Sequence, residues 1–61
     1  MLLLVKINPG HSADMVMIDN VTSYLCLGNG MYGITYKDPN QNNQLFDIVI
    51  KHVAEIKEVR L

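Results

Sequence analysis

Tyr24-Leu25-Cys26-Leu27-Gly28-Asn29-Gly30-Met31-Tyr32-Gly33-Ile34-Thr35-Tyr36 is two apolar-rich runs around an Asn-Gly pair. Asn-Gly in that setting is a strong signal for a two-residue hairpin turn, because both central residues must take positive φ. Closing the chain at Asn29-Gly30 sets Gly28 opposite Met31, Leu27 opposite Tyr32, Leu25 opposite Ile34 and Ser23 opposite Tyr36. The large side chains of both strands then share one face, and a slip of one residue would reverse that assignment.

The next hairpin can be placed independently. Asp38 to Gln44 is a polar loop with Pro39 and three asparagines, and Leu45 to His52 reads as a strand. Setting Tyr36 opposite Phe46 aligns Ile34 with Ile48 and Tyr32 with Ile50. Both hairpins thus give the middle strand the same buried side, a consistency expected of a genuine meander over 21–52. The expected core face is Leu25, Leu27, Tyr32, Ile34, Tyr36, Phe46, Ile48 and Ile50.

Outside the meander, Leu2 to Ile7 reads as a strand ended by the turn cluster Asn8-Pro9-Gly10. Met15 to Ile18 is apolar at every position, as a strand covered on both faces would be, and Asp19-Asn20 interrupts it. In the tail, Val53, Ile56 and Arg60 stand at helical spacing, whereas Ile56 to Leu61 alternates like a strand. A helical turn at His52 to Glu55 followed by a last strand satisfies both signals. Val59 and Leu61 would then pair with the N-terminal strand and close the sheet. The expected fold is one small all-β domain over 1–61, a bent antiparallel sheet or barrel of five strands. The alternative is an α+β domain with a short C-terminal helix. In size and strand rhythm the outline resembles SH3-like and Sm-like barrels. It shows no family signature: no Sm-type Asp/Asn-Gly recognition segments, and no aromatic cluster of the kind with which SH3 domains hold proline-rich peptides.

Composition narrows the function classes. The chain has 61 residues, 49% of them hydrophobic, with a formal net charge of −1 and one cysteine. A domain of this size buries only about 60% of the surface its unfolded chain exposes. It usually needs disulfides, a metal or oligomerisation to be stable. Cys26 has no partner for an internal disulfide and no Cys/His cluster indicates zinc, so self-association is the expected support. Lys51, Lys57 and Arg60 are interrupted by Glu55 and Glu58, which argues against the basic stripe of a nucleic-acid binder. Leu2 to Val5 is too short for a membrane span or a signal peptide, so a cytoplasmic location is expected.

Chemistry-bearing constellations are sparse. His11-x-x-Asp14, with Asp19 as a third group, offers too few ligands for a metal site and reads as a solvated loop. His52 lies three residues before Glu55 with no nucleophile nearby to make it an acid–base group. Cys26, between Leu25 and Leu27, reads as a packing residue rather than a catalytic thiol. Gly28, Gly30 and Gly33 are no phosphate loop, because no strand-to-helix transition follows them. Neither catalysis nor a cofactor or metal is expected.

The remaining signal is the second face of the meander. In the register above, Tyr24, Cys26, Met31, Gly33 and Val49 lie there as a semi-apolar patch with a hollow at the glycine. A contiguous patch on a small protein is a candidate contact surface, unless the N-terminal strand covers it. The expected function is that of a small non-enzymatic interaction protein, a homo-oligomer binding a protein partner. Such short proteins are frequent among bacteriophage and bacterial accessory or regulatory genes. The alternatives are a single-stranded nucleic-acid binder stacking bases on Tyr24, Tyr32 or Tyr36, and a small-ligand or nucleotide binder at a subunit interface.

Overall fold

Strands account for most of the chain, as its β-branched and aromatic content favours. A computed structural model describes residues 1–8 and 14–60. Their order is β1 (Leu2–Ile7), β2 (Asp14–Ile18), β3 (Val21–Gly28), β4 (Met31–Asp38), a 3₁₀ turn at Pro39–Gln41, β5 (Gln44–Ile50) and β6 (Val53–Val59). They form two three-stranded antiparallel sheets, β2-β1-β6 and β3-β4-β5. The all-β expectation holds and the meander is the second sheet. Among the described residues six strands replace the expected five, and the sheets do not join into a closed barrel.

The meander's two ladders differ in how they follow the sequence. Between β4 and β5 the register is the expected one, with Tyr36 opposite Phe46, Ile34 opposite Ile48 and Tyr32 opposite Ile50. Between β3 and β4 the turn itself is as expected, since Asn29 (φ 53°) and Gly30 (φ 72°) are both left-handed and Gly28 pairs with Met31. Gly28, however, also has positive φ, at 87°, and the register shifts between Cys26 and Gly28. A glycine in this conformation admits an extra residue into one strand, a β-bulge. Beyond it Cys26 faces Tyr32, Leu25 faces Gly33 and Tyr24 faces Ile34. The expected core positions of Leu25 and Leu27 are thereby overturned: both side chains are exposed, and Tyr24 takes the inner side.

The inner faces of the two sheets meet over Leu3 and Val5 of β1, Val21 of β3 and Ile34 of β4, the four buried apolar residues among those described. Around them pack the half-buried Val16, Ile18, Tyr32, Tyr36, Ile48, Ile50 and Ile56, among others. Tyr36 and Phe46 stack with ring centroids 5.8 Å apart. Backbone bonds clasp the layers at both ends. Met1 and Val21 exchange two, with N···O distances of 2.9 and 2.8 Å, and the Val53 amide donates to Gly30 O at 2.9 Å.

The tail is neither a helical turn nor a C-terminal helix. His52 alone takes a left-handed φ of 61°, which turns the chain from one sheet to the other, and β6 then runs along β1. The expected pairing of the tail with the first strand holds, with Val59 opposite Leu2, while Leu61 lies outside the described residues. Val53 faces Ile7 and Ile56 faces Val5, with a register shift at Lys6/Ile7. The bulge between them places two side chains three residues apart on one face, which is what imitated a helix. Met15 and Met17 of β2 are 61% and 69% exposed, so that strand is covered on one face rather than both.

The bulge yields a stability prediction. Alanine at Gly28 must adopt a left-handed φ, so Gly28→Ala should cost about 1 kcal/mol or more. Gly33→Ala meets only Leu27 Cδ1 at an ordinary 3.7 Å and has no positive φ. It should stay within about 0.5 kcal/mol of the parent. Urea unfolding compares the two, and equal costs would refute the assigned geometry.

Candidate functional site

Because the bulge turns Leu25 and Leu27 outward, the outer face of β3-β4-β5 is more apolar than the sequence register implies. Leu25 is 66% exposed, Val49 59% and Leu27 47%. Gly33 sits between Leu25 on one neighbouring strand and Val49 on the other. Lacking a side chain, it leaves a shallow hollow of about 380 Å³, walled by Ser23 and Leu25 on one side and Asp47 and Val49 on the other. Thr35 forms part of its polar end, donating from Oγ1 to Asp47 Oδ1 at 2.6 Å. Nothing among the described residues covers this surface: β1 packs against the opposite side of the sheet, against Ile34.

The residues expected to form one patch are divided between the two faces. Gly33 and Val49 occupy the outer face together, as expected, and Met31 lies half-buried beside the hairpin turn. Tyr24 and Cys26 fall on the inner side of β3 because they oppose Ile34 and Tyr32. Leu25 and Leu27 take their places in the outer patch. The signal for this was Gly28 directly before Asn-Gly, since three successive residues that accept positive φ permit a bulged hairpin as well as a plain one.

Tyr24 has a structural task instead. Its ring lies 6.4 Å from that of Tyr32, tilted by 45°. Its hydroxyl donates to Glu58 Oε1 of β6 at 3.2 Å, the one side-chain hydrogen bond between the sheets among the described residues. Partial burial, followed by the bond to the Glu58 carboxylate, raises the Tyr24 phenol above its ordinary value. The Tyr32 phenol is raised chiefly by the adjacent Cys26 sulfur.

A second, smaller hollow of about 210 Å³ lies on the outer face of the other sheet, between Leu4, Lys6, Met15, Glu55 and Lys57. Among the described residues no group of three His, Cys, Asp or Glu side chains could hold a metal. His11 lies outside them, and His52 is an exposed turn residue whose carbonyl accepts from the Asn8 amide at 3.1 Å. No helix among the described residues is long and apolar enough to cross a membrane. Comparison with known proteins finds no matching family, curated protein or solved structure.

The phenol environment predicts a pH dependence. A group that keeps its proton longer when folded contributes stability that is full below the unfolded value and is lost as pH rises through the folded one. An unperturbed tyrosine phenol titrates at 10.0. Unfolding free energy should therefore decline as pH rises above that value, and decline less in Tyr24→Phe. Denaturant titrations at alkaline pH, with phenolate absorbance as the second readout, check this; identical curves for the two proteins would contradict it.

Proposed function

We propose that the protein is a small non-enzymatic interaction module, homo-oligomeric, which binds a protein partner through the outer face of β3-β4-β5. The observation that carries this reading is the cluster of Leu25, Leu27 and Val49 around the Gly33 hollow, three large exposed apolar residues on one sheet face. An apolar patch with a polar margin, here Ser23, Thr35 and Asp47, is what protein contact surfaces share. Self-association is supported by the meagre core: among the described residues four apolar ones are buried, all from β1, β3 and β4. The chain exposes 4534 Å², more than the about 4,000 Å² typical of a folded monomer of this mass.

The nucleic-acid reading loses all three of its stacking candidates, since Tyr24, Tyr32 and Tyr36 pack against the core. The ligand reading has only an open, shallow hollow to draw on. A bacterial or phage accessory role agrees with the small size, and the partner would then be a host protein.

Light scattering during size exclusion across a dilution series tests the oligomeric part, for which a multimer is expected; a monomer at every concentration would refute it. Leu25→Asp tests the face. Leu25 is exposed, so the variant should melt within a few degrees of the parent. It should nevertheless lose the partner that the parent protein retains from a lysate of its source cells. Retention of the same partner by the variant would remove the face from the reading.

A further inference from the structure

The two sheets end in four strand edges, and they are not equivalent. β2 is the shortest strand, at five residues. β3 is bulged near both ends, at Val21/Ser23 and at Cys26/Gly28. β6 carries Glu55, Lys57 and Glu58 along its length, with a bulge in its ladder to β1. Short length, bulges and charge are the devices that keep an edge from pairing with another chain. β5 is the least protected of the four. Its ladder to β4 runs without a register shift, its seven residues hold one charge, Asp47, and among the described residues no strand pairs with its other edge. Leu45, at its start, is 55% exposed.

We infer that β5 pairs antiparallel with β5 of a second copy of this chain, about a two-fold axis at Val49, to make one six-stranded sheet. This rests on the homo-oligomer reading above and names its interface. Charge selects the register. Centring the pair on Asp47 gives the longest overlap of the two strands but sets Asp47 against its own copy, and like charges directly opposite destabilise. Centring it on Val49 sets Asp47 of each chain opposite Lys51 of the other, twice per dimer, and Ile48 opposite Ile50. Lys51 is exposed and directly follows β5, and it makes no ion pair among the described residues. Asp47 cannot reach Lys51 of its own chain, since four residues along a strand separate them by about 13 Å.

The pairing uses backbone groups and leaves both faces of the sheet open. Opposed residues of an antiparallel pair point the same way, so the two patches of Leu25, Leu27 and Val49 lie on one surface, joined at the Val49–Val49 contact. The dimer thus presents the partner-binding face twice, related by two-fold symmetry. An isologous interface of this kind closes at two copies rather than growing into a filament.

A charge exchange tests the pairing. Asp47→Lys and Lys51→Asp should each weaken dimerisation about tenfold, measured by sedimentation over a dilution series, because each turns two attractive pairs into repulsive ones. The double variant Asp47→Lys/Lys51→Asp should recover to within about threefold of the parent, since it restores both pairs with their signs exchanged. Val49→Cys in a Cys26→Ser background should cross-link the dimer on oxidation, the opposed Cα atoms being about 4.5–5.5 Å apart. Asp47 also accepts from Thr35, so if Asp47→Lys fails to fold, Lys51→Asp and the cross-link decide the question alone. A multimer of unchanged affinity in Lys51→Asp, with no cross-link through Val49→Cys, would overturn this interface while leaving self-association standing. A parent protein that stays monomeric throughout would overturn both.

Discussion

The side-chain period of a strand is two, so a single residue added to β3 beside Gly28 decides which of its side chains meet the opposite sheet. The positive φ of Gly28 is that decision in backbone form. It directs Tyr24 inward, where the hydroxyl reaches Glu58 across the layers, and it turns Leu25 and Leu27 to the solvent around Gly33. Without the bulge the leucines would join the core, and Tyr24 and Cys26 would take their places on the outer face. The clasp between the sheets and the candidate contact surface therefore share one cause.

That cause has a cost in core size. With Leu25 and Leu27 outside, four apolar residues are buried among the described residues, and the layers rely on half-buried neighbours and on backbone bonds at the corners, Met1 with Val21 and Gly30 with Val53. A chain of this length lies close to the limit at which a single core sustains a fold. Moving two leucines outward at that limit is hard to account for by stability alone. It is accounted for if those leucines are covered by a bound protein partner, where contact area makes up what the monomer core lacks.

Much of this architecture was legible from residue pattern. The Asn29-Gly30 turn, the β4–β5 register and the pairing of the tail with the first strand all follow from turn chemistry and alternation. What escaped was governed by bulges, which leave the composition of a strand unchanged while altering its parity. The bulge beside Gly28 exchanged the faces of β3, and the one between Val53 and Ile56 made a strand imitate a helix. Half of the candidate surface, Gly33 and Val49, was placed correctly because it lies on unbulged strands. The other half was displaced by one position along β3. The open ends of the sheets were not legible either: whether β5 and β6 meet depends on the turn at His52, whose left-handed φ no side-chain pattern announces.

The topology also sets an order of events during synthesis. Sheet β3-β4-β5 is built from neighbouring hairpins, whereas the other sheet pairs Leu2 with Val59, across nearly the whole chain. Local pairings form readily, and those that close long loops are slow. On a ribosome β1 is made before β6 and is flanked on one side only, by β2, until β6 has emerged. Throughout that interval the Leu2–Val5 run offers an unpaired, apolar edge, and the rate at which the last strand arrives governs how long the nascent chain stays prone to aggregation.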